Sequence, residues 1–395
     1  MRIAMVHSSF AIRGGAEQYV RDLTGALRGR GHDVQVFSRD SVHADPADRA
    51  VHARVSDRLG GRSNALRKAF THLGDVADPT GLSLSDIRAF APDLVHVHNW
   101  QGLGALPLAR LARAYPICHT VHDYALADPN NALANRGRST ALDAALQLRS
   151  AWLVGRFRRV TLLWPAERTR EIVERHVPAA RGLPGRVVPL AVPEEGPPPV
   201  WRRGHTGTFL FLGALSPHKG VDLMLDAWRS AAALAPPGAR LLVAGDGPLR
   251  DLLAATARDV PSVRPLGFLD AAGKQAALQE AGWLLFPSQW AENFPISCVE
   301  TLRAGRPILA STVARPPMAS DGALLTFDGR EDLVAVLRRA MTMPPPEYDR
   351  MAGVAAADGR ALSWEAHVSA IERAYAEVAA DTVAGPPAAP DASQR

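Results

Sequence analysis

Two carboxylates eight residues apart, Glu292 and Glu300, are the side chains in this chain best placed to do chemistry on a polar ligand. They follow the apolar run Trp283-Leu-Leu-Phe286, which reads as a short buried strand bounded by Pro287 and Ser288. The spacing predicts a loop carrying Glu292, then a helix from near Pro295 to Gly305 carrying Glu300, then a strand from Pro307. A carboxylate at the carboxyl end of a strand, backed by the free amides of a helix start, stands where open α/β sheets bind ligands and anions. A carboxylate that accepts from two adjacent hydroxyls matches a sugar or a ribose.

Six further segments have comparable character. Arg13-Gly-Gly-Ala-Glu17 lies between a first strand and a first helix, where Gly14 and Gly15 let the backbone approach a phosphate closely. It is not the G-x-G-x-x-G dinucleotide fingerprint, which argues against a nicotinamide cofactor. Val95-His-Val-His-Asn99 and Cys118-His-Thr-Val-His-Asp-Tyr124 place four histidines within 27 residues. His96 and His98 share one side of a strand, and no carboxylate or cysteine set completes a zinc site around them. Satisfied core positions suit His96 and His119, while His122 lies at a strand's carboxyl end. Phe211-Leu-Gly-Ala-Leu-Ser-Pro-His-Lys-Gly220 brings Lys219 to a helix start, where it would offset a leaving group's charge. Ala244-Gly-Asp-Gly-Pro248 is a turn before a helix, and Leu266-Gly-Phe268 ends a further strand.

The strings Glu-Asn-Phe-Pro with the second glutamate eight positions on, Ala-Gly-Arg-Pro, Gly-Gly-Ala-Glu, His-Asp, Lys-Gly and Gly-Asp-Gly-Pro occur in order over nearly the whole chain. Together they resemble family 4 of the retaining glycosyltransferases, whose E-x7-E signature and GT-B fold would then apply. That resemblance implies an enzyme moving a sugar from a nucleotide-sugar donor to an acceptor hydroxyl with retention of configuration. It implies no cofactor and no metal, the nucleotide-diphosphate sugar being a co-substrate. Glu292 and His122 would contact the donor sugar, and Glu300 the ribose. Lys219, Gly14, Gly15 and the amides of Asn293 and Phe294 would hold the diphosphate. Gly267 and Phe268 would take the base, while Glu17, Asp123 and Tyr124 lie on the acceptor side. Where this chain has Gly213-Ala214-Leu215, the family commonly has Gly-Arg-Leu. A missing charged donor to phosphate costs about 1.5–3 kcal/mol, about 10- to 150-fold. His218, Arg13 and Arg315 are candidate replacements. Two rival readings are a non-catalytic nucleotide-sugar-binding partner and a nucleotide-sugar epimerase on the same fold.

Positioning these groups requires alternating strands and helices, hence parallel sheets. At 395 residues the chain suits two domains. Residues 1–191 read as an N-terminal Rossmann-like, acceptor-side domain and the proline-rich 192–204 as a linker. Residues 205–362 read as the nucleotide-sugar-binding domain, 363–381 as a helix crossing back to the first domain and 382–395 as a disordered tail. Such an arrangement is a doubly wound α/β fold with a ligand cleft between domains.

Composition narrows the classes. A net charge of +5 makes nucleic acid a weak inference. With no run near about 18 apolar residues and no leader-like N-terminus, a cytoplasmic protein is expected. The two cysteines, Cys118 and Cys298, suit a reducing compartment. The Ala-, Arg-, Pro- and Gly-rich usage points to a GC-rich, bacterial genome. The basic-aromatic segment Arg149–Arg159 reads as a helix with one core face and one solvated face, peripheral membrane contact being the less favoured reading. Expected partners are therefore a nucleotide-sugar donor and an acceptor small molecule, glycan or glycolipid.

Overall fold

A computed structural model describes residues 1–8, 15–38, 48–50, 84–99, 104–128, 141–193 and 205–383. Arg13, Gly14, most of the expected linker and the tail from Ala384 lie outside the described residues. The chain's contacts divide into two units, Met1–Val188 with the segment from Val368 onward, and Pro189–His367.

The first unit is built on a seven-stranded parallel sheet, ordered β3-β2-β1-β4-β5-β6-β7. Its strands are β1 (Arg2–His7), β2 (Asp33–Ser38), β3 (Arg49–Ala50), β4 (Leu94–Val97), β5 (Ile117–Thr120), β6 (Val160–Trp164) and β7 (Gly185–Val187). Helices α1 (Gly15–Gly29), α2 (Leu84–Phe90), α3 (Ala105–Ala114), α4 (Ala141–Val154) and α5 (Glu167–His176) alternate with them. The central strands read as unbroken apolar runs because helices cover both faces; Ile3, Ala4, Met5 and Val6 are all fully buried. The chain reverses its winding between neighbours β1 and β4, so the carboxyl ends of β1, β4 and β5 open on one switch point.

The second unit repeats the logic with six parallel strands, ordered β10-β9-β8-β11-β12-β13. These are β8 (Thr208–Leu212), β9 (Arg240–Ala244), β10 (Val263–Gly267), β11 (Trp283–Phe286), β12 (Ile308–Ser311) and β13 (Leu324–Phe327). Between and after them run α6 (Val221–Ala232), α7 (Arg250–Asp259), α8 (Ala271–Glu280), α9 (Ile296–Arg303), α10 (Gly329–Met341) and α11 (Pro345–Ala361). Period-two alternation splits the core between the faces: Phe209 and Phe211 pack with α6 and α10, and Leu210 with α8. The switch point here lies between β8 and β11.

Helix α12 (Trp364–Val383) contributes its residues from Val368 onward to the first unit. There Glu372 meets Arg30 at 2.5 Å and His32 at 2.9 Å. Burial alone would raise the Glu372 pKa, but hydrogen bonds from His32 and Arg30 outweigh it and hold the carboxyl below its usual range.

Pro295 is the N-cap of α9, so that helix starts beside it as expected. One expectation is corrected: the proline triplet at 344–346, which by sequence reads as a break after a helix near 331–341, begins a 17-residue helix instead. Pro344 caps α11, and the next two prolines occupy its first turn, where the missing N–H groups had no intrahelical partner. Strand β13, not foreseen from its sequence, extends the sheet beyond β12.

Arg306 is 1% exposed and binds the C-terminal end of α8 through the carbonyls of Leu278 (3.3 Å) and Gln279 (3.5 Å). The Gly245-Asp-Gly-Pro248 turn is a clamp on the loop after β8: Leu215 N donates to Asp246 O at 2.9 Å, and Leu249 N to Leu215 O at 2.9 Å. Gly245 has φ +138°, and a Cβ there would stand 1.8 Å from the Gly213 carbonyl. We expect Gly245→Ala to cost about 1–3 kcal/mol from backbone conformation alone, read as a lower thermal unfolding midpoint. An unchanged midpoint would refute the clamp.

Candidate functional site

In the second unit, Lys219 and Glu292 come from the loops after neighbouring strands β8 and β11. Lys219 Nζ lies 2.6 Å from Glu292 Oε1, and the Ser288 hydroxyl donates to the same oxygen at 2.7 Å. The pair is only partly shielded, with side-chain exposures of 28% and 14%, so both groups are paired yet reachable. Gly220 makes this approach possible. Its φ is +69°, and a Cβ would fall 2.0 Å from the Pro287 carbonyl, on the loop that carries Glu292. Gln289 N donates to His218 O at 2.9 Å, and Ser311 Oγ bonds the Ser288 carbonyl, so the two loops and β12 are stitched together.

Eight residues on, Glu300 sits in α9 and is paired with Lys274 of α8. Asn293 and Phe294 are buried just before the helix start, and Gly267 ends β10 with φ +69°. Phe268 beyond it is 76% exposed, an unusual amount for a phenylalanine and a ready stacking surface. Cys298, buried beneath the site, has its thiol pKa pushed far up, first by burial and then by Glu292. That thiol is not a nucleophile.

Ala214 is exposed in the loop where the sequence comparison expected arginine. Of the candidate replacements, Arg315 is engaged with Asp321 and Arg13 lies outside the described residues. His218 is near, its ring 5.3 Å from that of Trp290. Its pKa is lowered, first by burial and then by Lys219, so it contributes little positive charge.

In the first unit, the ends of β1, β4 and β5 bring together His7, His98 and His122. His98 Nδ1 and His122 Nε2 are 2.9 Å apart. Tyr19 of α1 stands edge-on to His122, with ring centroids 5.1 Å apart. His7 accepts from the Asn99 amide on Nδ1 (3.2 Å), which leaves the proton on Nε2, 4.0 Å from Glu17 Oε1. His98, Asn99, His122 and Asp123 line a small recess with Val121 and Leu126. Gly15 is the first residue of α1.

His96 and His119 are core histidines with partners, as their strand positions implied: His96 meets Thr120 Oγ1 at 2.8 Å, and His119 Nδ1 donates to the Val97 carbonyl at 3.0 Å. Asp123 spends one oxygen capping a short turn, accepting from Ala125 N at 2.8 Å. Tyr124, expected on the acceptor side, is 2% exposed and packs in the core. Among the described residues no three His, Cys, Asp or Glu side chains form a group that could hold a metal ion. Among them also, no helix is long and apolar enough to cross a membrane. In the basic segment, Phe157 is buried while the Arg156 guanidinium lies 3.8 Å over the Trp152 ring.

Sequence reading gave no site role to Ser288, Lys274, His7 or His98. The first two carry no local signal, since a single serine or helical lysine is ordinary; the two histidines end apolar strands, which is a signal that could have been used.

Two family models match the chain: "Glycosyltransferase Family 4" over residues 13–195 and "Glycosyl transferases group 1" over residues 206–342. Curated relatives include a glycogen synthase of Mycobacterium tuberculosis, 29% identical over 343 residues, which are 79% of this chain and 78% of that protein. A D-inositol 3-phosphate glycosyltransferase of Mycolicibacterium paratuberculosis is 29% identical over 402 residues, covering 92% of this chain and 85% of the relative. Among solved structures, sucrose-phosphate synthase from Thermosynechococcus elongatus superposes with a TM-score of 0.73 at 17% identity, covering 96% and 99% of the two chains. Anabaena HepE in complex with UDP-glucose does so with a TM-score of 0.63 at 16% identity, covering 96% and 100%. The two Rossmann-like sheets are those of the GT-B fold, and with both models matching in order the protein is a glycosyltransferase.

Burial pushes the pKa of His7 and of His119 down to about 4, and that of His98 well below its ordinary value. A histidine kept neutral by folding takes up its proton on unfolding, so stability falls as pH drops from about 6.5 toward the folded value. His7 and His119 should each cost on the order of 2 kcal/mol by pH 5. Urea unfolding followed against pH checks this, with His119→Asn expected to lose less stability on acidification than the wild type.

Proposed function

We propose that the protein moves a sugar from a nucleotide-diphosphate sugar to an acceptor hydroxyl, with retention of anomeric configuration and without a bound metal. The observation that carries this reading is the Lys219–Glu292 pair at the β8/β11 switch point. It offers a carboxylate for sugar hydroxyls beside an ammonium for the departing diphosphate. Glu300 in the following helix takes the ribose hydroxyls, and Gly267 with the exposed Phe268 takes the base. The amides at Gly14, Gly15 and Asn293–Phe294 share the phosphate charge. His122 positions the sugar near its reacting carbon, while Glu17 and Asp123 face the acceptor.

In this reading the acceptor hydroxyl attacks from the face that the diphosphate leaves, the sugar passing through an oxocarbenium-like state. The leaving phosphate oxygen takes the acceptor proton, so no protein base is required. Lys219 stabilises the leaving charge, and the rest of the site holds the partners in register. The HepE complex with UDP-glucose supports the donor class by analogy of fold. The acceptor is a glycan, a glycolipid or a small hydroxylated molecule, and the reaction belongs in the cytoplasm.

The test is nucleoside diphosphate release across a panel of UDP-, GDP- and ADP-sugars, with and without acceptors and with EDTA present. Product anomeric configuration is read by NMR. Release with a retained anomer is expected. Inversion would refute retention, and loss of activity in EDTA would refute metal independence. Binding without turnover on any pairing would favour a nucleotide-sugar-binding partner, for which Ala214 is the motivating feature. Glu292→Ala should keep the fold by circular dichroism and lower kcat by about 10²-fold or more; wild-type turnover would remove Glu292 from its role.

A further inference from the structure

His98 has no assigned role, yet its surroundings are more constrained than those of any other histidine at the first unit's switch point. It is fully buried at the end of β4. One ring nitrogen, Nε2, lies 2.8 Å from the sulfur of Met5, and the other, Nδ1, lies 2.9 Å from His122 Nε2. A thioether sulfur can accept a hydrogen bond but not donate one, so a proton on Nε2 is the placement that gives this contact a donor. Burial, reinforced by the neighbouring histidines, pushes the His98 pKa well down, so its ring is neutral and has one proton to place. With that proton on Nε2, Nδ1 is an acceptor, and the nitrogen opposite it on His122 must be a donor.

We propose that His98 is the positioning residue of His122: it accepts the His122 Nε2–H and so selects one tautomer and one ring orientation of the side chain that faces the sugar. The inference rests on the donor-sugar role of His122 proposed above. The tautomer of a functional histidine is set by the bond its second nitrogen makes, and here that bond is to a residue which cannot turn. The His98 ring lies 4.0 Å from that of His96. His96 is itself spanned by Thr120 Oγ1 at 2.8 Å and by the hydroxyl of Tyr375, on α12, at 2.5 Å. Tyr19 closes the open side, its ring 5.9 Å from that of His98 and 5.1 Å from that of His122. A buried column from Tyr375 through His96 and His98 thus ends on His122. His122 Nε2 is turned into the protein, and Nδ1 is the ring nitrogen on its other side.

Long-range 1H–15N correlation spectra of the full chain labelled at the histidine rings read this directly, without substrate. The His122 signals are assigned by their loss in His122→Asn. Neutral His122 in the wild type should be the Nε2–H tautomer; an Nδ1–H form would overturn the proposal whether or not any variant folds. In His98→Leu the tautomers should mix, and with the donor that turns over in the panel kcat should fall about 10²-fold while KM changes little. His98→Gln, whose amide oxygen can still accept, should recover part of both. A fixed tautomer in His98→Leu, or an unchanged kcat alongside mixed tautomers, would refute the positioning role. A wild-type protein that turns over no donor would defeat the transferase reading alone, because the tautomer is measured independently of it.

Discussion

The contact between Lys219 and Glu292 is the constraint around which the second unit is arranged. An ammonium and a carboxylate at 2.6 Å attract strongly only when water is held back, and side chains this long lose entropy when fixed. The loops therefore fix them by other means. Gly220 lets the backbone close on Pro287, Ser288 adds a second donor to the same carboxylate oxygen, and the Gly245 turn holds the β8 loop from beneath. The pair remains partly open to solvent, as a binding group must.

The first unit solves a different problem with the same topology. Its switch point gathers neutral, buried histidines instead of an ion pair. A column of rings is stiff and directional, and it carries no net charge that the interior would have to neutralise. Among the described residues two carboxylates stand near these rings: Glu17 lies 4.0 Å from His7, and Asp123 lines the recess with His98 and His122. The second unit's switch point thus holds a pair of opposite charges, and the first unit's holds oriented hydrogen-bonding rings. Both choices follow from strands whose apolar runs end abruptly in polar residues at the sheet's edge.

The departure at Ala214 stands out against this. The loop around it has its clamp, its glycines and its lysine in place. His218 is close by but is biased toward its neutral form. Lys219 thus supplies most of the positive charge in this loop.

Most strands were legible in the sequence because a parallel sheet buried on both faces needs continuous apolar runs, and Val160–Trp164, Thr208–Leu212, Arg240–Ala244 and Trp283–Phe286 end where those runs end. The E-x7-E spacing and the Lys-Gly turn were legible too, since they are local. The prolines at 344–346 misled because the same residue both stops a helix and starts one, and only packing tells which. Residues distant in sequence could be joined only by the fold. Ser288 reaches Glu292 locally, but Lys219 meets it across 73 residues, Lys274 meets Glu300 across 26, and Tyr375 meets His96 across 279. The sequence by itself determined which chemical groups stand at strand ends, because hydrophobic periodicity acts locally. Tertiary structure alone decided which of those groups face one another, which way each histidine ring turns and that Tyr124 is core, because strand order and burial are properties of the whole sheet.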